Sequence, residues 1–203
     1  MKDDYKTISK RTPEVLFKDR SSKFYGVAYP VASTEDVKNC LDELKKEHHL
    51  ARHFCYAYRL GDRYQEYRAN DDGEPSNSAG APILGQIQAF DLTFVLVVVV
   101  RYFGGTKLGV GGLIQAYKTT SQMALKEANI ITRTIDTVFS IQFEYDMLNK
   151  VMRVIKDNEL RIVSQKDHLN CTMQLAIRQN EAARLKSIFE NLYPVILKWP
   201  KED

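Results

Sequence analysis

The sequence predicts an α+β protein in two parts, a mixed N-terminal domain over residues 1–133 and a smaller C-terminal domain over residues 136–203. Three observations carry this reading. Between Val138 and Tyr145, apolar Phe139, Ile141, Phe143 and Tyr145 alternate with polar Ser140, Gln142 and Glu144, the two-residue period of a strand with one buried face. Phe94 to Val100 is apolar without alternation, as an interior strand covered on both faces must be, and Arg101 ends it. A glycine-rich loop then opens a long helical segment, about Gly111 to Ala128.

Along the N-terminal part, Phe24 to Val31 reads as a strand. Ser33 and Asp36 open a helix in the S-x-x-D/E capping pattern, and Val37, Cys40, Leu41 and Leu44 form its buried stripe. Phe54 to Leu60 is a strand joined by a tight turn at Gly61–Asp62 to a partner over Tyr64–Arg68. After a polar loop, Ala79 to Ala89 forms a helix from Pro82 onward, because proline is tolerated in a first turn.

In the C-terminal part, the strand at 138–145 precedes a helix with Leu148, Val151, Met152 and Ile155 on one face. Leu160 to Gln165 is a short strand, and Leu169, Cys171, Met173, Leu175 and Ile177 alternate in the next. Asn180 is placed to cap a second helix whose stripe is Leu185, Ile188, Phe189 and Leu192. Pro194 ends it, and Val195 to Trp199 is a last strand. The order βαββαβ is that of a ferredoxin-like domain. Residues opposite its core face are Ser140, Gln142, Glu144, Asn170, Thr172 and Gln174, which offer no aromatic platform for stacking bases.

The net charge is +3, and the small basic excess falls within residues 1–135. A duplex-DNA binder would show a stronger basic stripe, so none is expected. Cys40, Cys55 and Cys171 suggest neither a disulfide framework nor a zinc site. The N-terminus lacks the charged-then-apolar order of a signal peptide, and the run Phe94–Val100 is too short to span a bilayer. The expectation is a cytoplasmic protein without a membrane partner.

Two segments are too unusual to be plain connectors. In Val98–Tyr117, Gly104, Gly105, Gly109, Gly111 and Gly112 surround Lys107 between a buried strand and a helix, beside Arg101 and Tyr102. Free backbone amides, a helix start and nearby cations are the ingredients of an anion site. Neither the Walker A spacing nor G-x-G-x-x-G is met, and the same glycines would serve for positive φ and close packing. In Asn70–Leu84, Asp71, Asp72, Glu74 and Ser76 surround Gly73 and Pro75. Their carboxylates would hold Mg²⁺ through water, form a plain turn and cap, or pair with Arg101 or Lys107 across a cleft. His53, Tyr56, Tyr58 and Arg59 are further candidates, as an aromatic, basic hairpin able to stack on single-stranded RNA or simply to pack on helices. A triad of Ser76, His53 and Asp72 lacks the nucleophile-elbow context.

At Ser22-Lys23-Phe24, Ala51–Leu60 (ARHFCYAYRL), Asn70–Leu84 and Arg101–Tyr117, the chain resembles the YigZ/IMPACT family, and the C-terminal βαββαβ region agrees with its bacterial two-domain members. Asn77-Ser78 stands where Gly-Thr is frequent, and Gln115 where a basic residue is frequent. The resemblance implies an N-terminal βαβ domain of the kind shared by a small-ribosomal-subunit protein, the fourth domain of elongation factor G and GHMP kinases. That fold has a left-handed crossover, against the usual rule. The second domain is similar to the fifth domain of elongation factor G. Eukaryotic IMPACT proteins restrain the amino-acid-starvation response by competing for the activator of an initiation-factor-2 kinase. Their added module for that contact is not carried over.

The implied function is a translation-associated regulatory protein whose partner is the ribosome, RNA or a translation-related protein. No cofactor, metal or catalytic residue is assigned. Two alternatives stay open: a phosphate- or nucleotide-binding enzyme using the Gly104–Gly112 loop, and a protein-interaction module acting through the C-terminal sheet.

Overall fold

The computed structural model describes residues 3–167 and 170–200, so Leu169 of the predicted alternating strand lies outside the described residues. Two compact units are formed, one of Tyr5–Arg133 and one from Thr134 onward together with residues 3–4.

The larger unit contains, apart from the end residues Asp4 and Thr134, β1 (Asp4–Ile8), β2 (Val15–Asp19), β3 (Ser22–Pro30), α1 (Thr34–Glu47), β4 (His53–Leu60), β5 (Glu66–Asn70), α2 (Gly80–Ala89), β6 (Val95–Tyr102), α3 (Gly109–Lys126) and β7 (Ile130–Thr134). Five strands form one sheet in the order β2-β3-β6-β4-β5, while β1 and β7 make a separate two-stranded ladder. Every pairing in the five-stranded sheet is antiparallel.

Strand β6 lies in the middle, and its composition follows from that position. Val95, Val97 and Val99 pack into a core with Ile83 and Ile87 of α2 and Leu113 and Tyr117 of α3. Leu96, Val98 and Val100 pack with Val37 and Leu44 of α1 on the other side. Both faces are dry, so alternation disappears. Each such side chain contributes roughly 1.5–3 kcal/mol relative to exposure.

Helix α1 starts where the capping pattern placed it. The Ser33 Oγ accepts from the Asp36 amide at 3.2 Å, and the Asp36 carboxylate accepts from the amides of Ala32 and Ser33. These bonds, that from Ala32 first, hold the Asp36 carboxyl below its ordinary pKa. Strand β5 begins two residues later than the predicted Tyr64, because Tyr64 closes the turn. Its amide donates to the Gly61 carbonyl at 3.1 Å and its φ is +64°. Helix α3 begins two residues earlier than predicted, at Gly109.

The smaller unit contains β8 (Asp136–Phe143), a 3₁₀ turn at Tyr145–Met147, α4 (Leu148–Asp157), β9 (Arg161–Asp167), β10 (Cys171–Arg178), a 3₁₀ turn at Gln179–Glu181, α5 (Ala182–Glu190) and β11 (Ile196–Lys198). Its strand order, β11-β8-β10-β9, places the first and third strands centrally in an antiparallel ferredoxin-like sheet. The register sets Phe139 opposite Leu175, Ile141 opposite Met173 and Phe143 opposite Cys171. That face packs on Val151 and Ile155 of α4 and Leu185 and Phe189 of α5.

Asn180 is not the cap of α5. It sits inside the 3₁₀ turn, and Glu181 takes the cap position with its carboxylate on the Arg184 side chain at 2.8 Å rather than on a helix amide. The chain enters α5 already coiled, so no extended cap residue is present. No helix among the described residues is long and apolar enough to cross a membrane.

Candidate functional site

The acidic turn between β5 and α2 is ordered by its own carboxylates. Asp71 Oδ1 accepts from the amides of Ala79 at 2.9 Å and Gly80 at 2.8 Å, and its Oδ2 accepts from Asn77 at 2.8 Å. Asp71 therefore caps α2 from eight residues away, satisfying amides that the Ala79 cap position leaves open. The Asp72 carboxylate accepts from the Phe54 amide at 2.6 Å, tying the turn to β4. The backbone reverses through Asp72 at φ +40° and Gly73 at φ +83°, a conformation that aspartate and glycine tolerate.

Glu74 leaves this surface. Its Oε1 accepts from Arg101 Nη1 at 2.7 Å and from the Tyr117 hydroxyl at 2.8 Å, and the two charged side chains are only 5% and 6% exposed. The Cys55 thiol donates to the Tyr117 oxygen at 3.3 Å and also lies 3.0 Å from the Asp71 carbonyl. Burial, reinforced by the carboxylates of Glu74, Asp72 and Asp71, pushes the Cys55 thiol well above its ordinary pKa. Burial first, then Cys55 and Glu74, do the same to the Tyr117 hydroxyl. Both are neutral donors in a chain that ends on one carboxylate. The acidic loop and Arg101 are thus brought together through Glu74. Asp71 and Asp72 are spent on amides, and no group of three or more His, Cys, Asp or Glu among the described residues is placed to hold a metal ion.

Beside this pair lies a cavity of about 350 Å³ lined by Leu50, Arg52, His53, Arg101, Tyr102 and Phe103. Arg101 forms part of its wall and is within cation–π reach of Phe24 and Phe103, at 5.5 and 5.4 Å. The His53 Nδ1 lies 2.9 Å from the Asp72 carbonyl. A carbonyl only accepts, so Nδ1 carries the proton. Tyr102 is held by its hydroxyl against His48 Nδ1 at 3.1 Å, and His48 in turn pairs with Glu14. Phe103 is 55% exposed.

The remaining candidate residues fall elsewhere. Lys107, Gly105, Gly109, Gly111 and Gly112 do not line the cavity. Gly104 has a packing reason, since a Cβ there would sit 2.1 Å from the Ser21 backbone, and its amide donates to Ser22 Oγ at 3.2 Å. Gly105 and Gly109 have positive φ, at +89° and +74°. Ser76 is exposed and makes no bond to His53 among the described residues. Tyr58 is buried with its hydroxyl on Glu66, Tyr56 packs on the same core, and Arg59 covers the Tyr64 ring while donating to the Leu92 carbonyl. Sequence reasoning did not single out Arg52, Leu50 and Phe103. Arg52 and Phe103 adjoin chosen residues, but only the register His53 opposite Arg101 brings the two segments together.

The Impact N-terminal domain model matches residues 20–125. The chain belongs to the IMPACT family. It is 37% identical over 131 residues to the IMPACT family member YvyE of Bacillus subtilis, covering 64% of this chain and 58% of that one. It is 32% identical over 169 residues to an IMPACT family member of Haemophilus influenzae, covering 81% and 82% of the two chains. A crystal structure of a hypothetical protein, 26% identical, aligns over the whole of both chains with a TM-score of 0.76. The matched IMPACT segment contains every residue of the cavity and of the Cys55–Tyr117–Glu74–Arg101 chain.

Proposed function

We propose that this IMPACT-family chain is a translation-associated regulatory protein that binds single-stranded RNA through the cavity of the larger unit. The carrying observation is the lining itself: Arg52, His53 and Arg101 stand with Tyr102 and Phe103, and no carboxylate residue is among them. Cations attract the phosphate backbone, and an exposed aromatic face accepts a base without sequence preference. The resemblance of both domains to parts of elongation factor G supplies the translational setting.

The test is fluorescence anisotropy with a labelled oligoribonucleotide at low and moderate salt. Binding should weaken with salt. Phe103→Ala should lose about 1–3 kcal/mol, the value of one stacked base. Absence of binding at about 100 µM protein in low salt, the weak end of non-specific association, would sink the reading.

A further inference from the structure

We propose that the Arg52–His53–Arg101 cavity is a phosphate-monoester pocket, and that the RNA it takes is held by a terminal phosphate rather than by an internal phosphodiester. The choice of RNA as the source of that phosphate rests on the function proposed above.

Arg101 is anchored but not saturated. Of the five N–H donors of its guanidinium, one makes a short contact, Nη1 to Glu74 at 2.7 Å. Nη2 reaches Ser22 Oγ only at 3.5 Å, and Nε has no partner. Arg52 is exposed on the cavity wall and makes no hydrogen bond or ion pair among the described residues. One guanidinium is thus held deep, its charge offset by Glu74, and a second is uncompensated at the surface.

Charge and oxygen count distinguish monoester from diester. A terminal monoester presents three free oxygens and about −1.5 to −2 charges, whereas an internal diester presents fewer of each. The unsaturated fork of Arg101 and the unpaired guanidinium of Arg52 suit the former. With Nδ1–H committed to the Asp72 carbonyl, His53 keeps Nε2 as its remaining polar atom. The cavity, about 350 Å³, exceeds a phosphate group alone, and Phe103 provides a face for the adjoining nucleoside.

The experiment compares a 3′-labelled pentaribonucleotide bearing a 5′-phosphate or a 5′-hydroxyl, by anisotropy, with adenosine 5′-monophosphate titrated separately by calorimetry. The 5′-phosphate should tighten binding by about tenfold or more, as hydrogen bonds to charged groups do. Arg52→Ala should reduce that preference to about twofold or less at unchanged melting temperature. Arg52 is the substitution of choice because Arg101 holds a buried carboxylate. Equal affinity for the two oligonucleotides, or a preference that survives Arg52→Ala, overturns the pocket assignment while leaving RNA binding intact. If neither oligonucleotide binds but the mononucleotide does, in an Arg52-dependent manner, the pocket stands with a free nucleotide as its ligand and the RNA reading falls. If no ligand binds, both fall.

Discussion

Replacing Glu74 with alanine removes the acceptor shared by Arg101 Nη1 at 2.7 Å and the Tyr117 hydroxyl at 2.8 Å. Both charged side chains are more than nine-tenths buried, so the discount applied to exposed ion pairs does not arise. Stranding a buried cation costs about 3–5 kcal/mol, and orphaning a neutral hydroxyl adds roughly 1 kcal/mol. A loss of about 4–6 kcal/mol is a large share of the 5–15 kcal/mol that a typical domain possesses. At about 3–4 °C per kcal/mol, the larger unit should melt roughly 12–24 °C lower. Calorimetry and urea unfolding measure this, with each unit's transition fitted separately because a two-unit chain need not be two-state. The double variant Glu74→Ala/Arg101→Met should be more stable than Glu74→Ala alone, since the residual charge carries most of the cost. A single-variant loss below about 1 kcal/mol, or a double variant as unstable as the sum of both singles, would refute the argument.

Asp71→Ala leaves three amides at the start of α2 without their acceptor and should cost about 2–3 kcal/mol in urea unfolding, more than the ~1 kcal/mol expected for Ser33→Ala at α1. Gly104→Ala drives a Cβ into the Ser21 backbone and should destabilise by about 1–3 kcal/mol in the same assay. Stability should fall on the alkaline side. The Cys55 thiol and the Tyr117 hydroxyl titrate higher in the folded than in the unfolded chain, and burial pushes Tyr29 up to about 12. Their contributions are therefore complete below the unfolded values of 9.0 for the thiol and 10.0 for the tyrosines, and are lost as pH rises through those values towards the folded ones. Urea midpoints should decline from about pH 9, and Cys55→Ala should remove the earliest part of the decline. Native Cys55 should also resist a disulfide-exchange reagent that modifies it freely after unfolding, because the thiolate is the reactive form.

Much of the fold is written in periodicity. The run Val95–Val100 revealed a central strand, and Ser33 with Asp36 located a helix start to the residue. Strands β1, β2 and β7 were not foreseen. In β2 the adjacent Val15, Leu16 and Phe17 conceal the alternation in which Val15 and Phe17 are half-buried and Leu16 is exposed. In β7 Ile130 is exposed and Ile131 half-buried, so two neighbouring isoleucines indicate neither face. At the candidate site, composition pointed to the acidic turn and the glycine loop, and an acidic-loop pairing with Arg101 was among the options. The cavity was not legible, because it depends on β4 and β6 lying in register at His53 and Arg101, nearly fifty residues apart in the chain. Nor could Asp71 be read as a remote cap, since its partners begin six residues later, beyond any local capping pattern.

Cys55, Tyr117, Glu74 and Arg101 lie on a strand, a helix, a turn and another strand; Arg101 and Tyr117 donate to one carboxylate, and Cys55 joins them through the Tyr117 oxygen. These positions should therefore not vary independently. A lineage that loses the carboxylate acquires a stranded guanidinium and a thirsty phenol together, and can recover only by replacing those too. The four should pass through divergence as one inherited character, exchanged whole or kept whole. Ser76 and Lys107, which form no comparable pairing among the described residues, are free to drift singly.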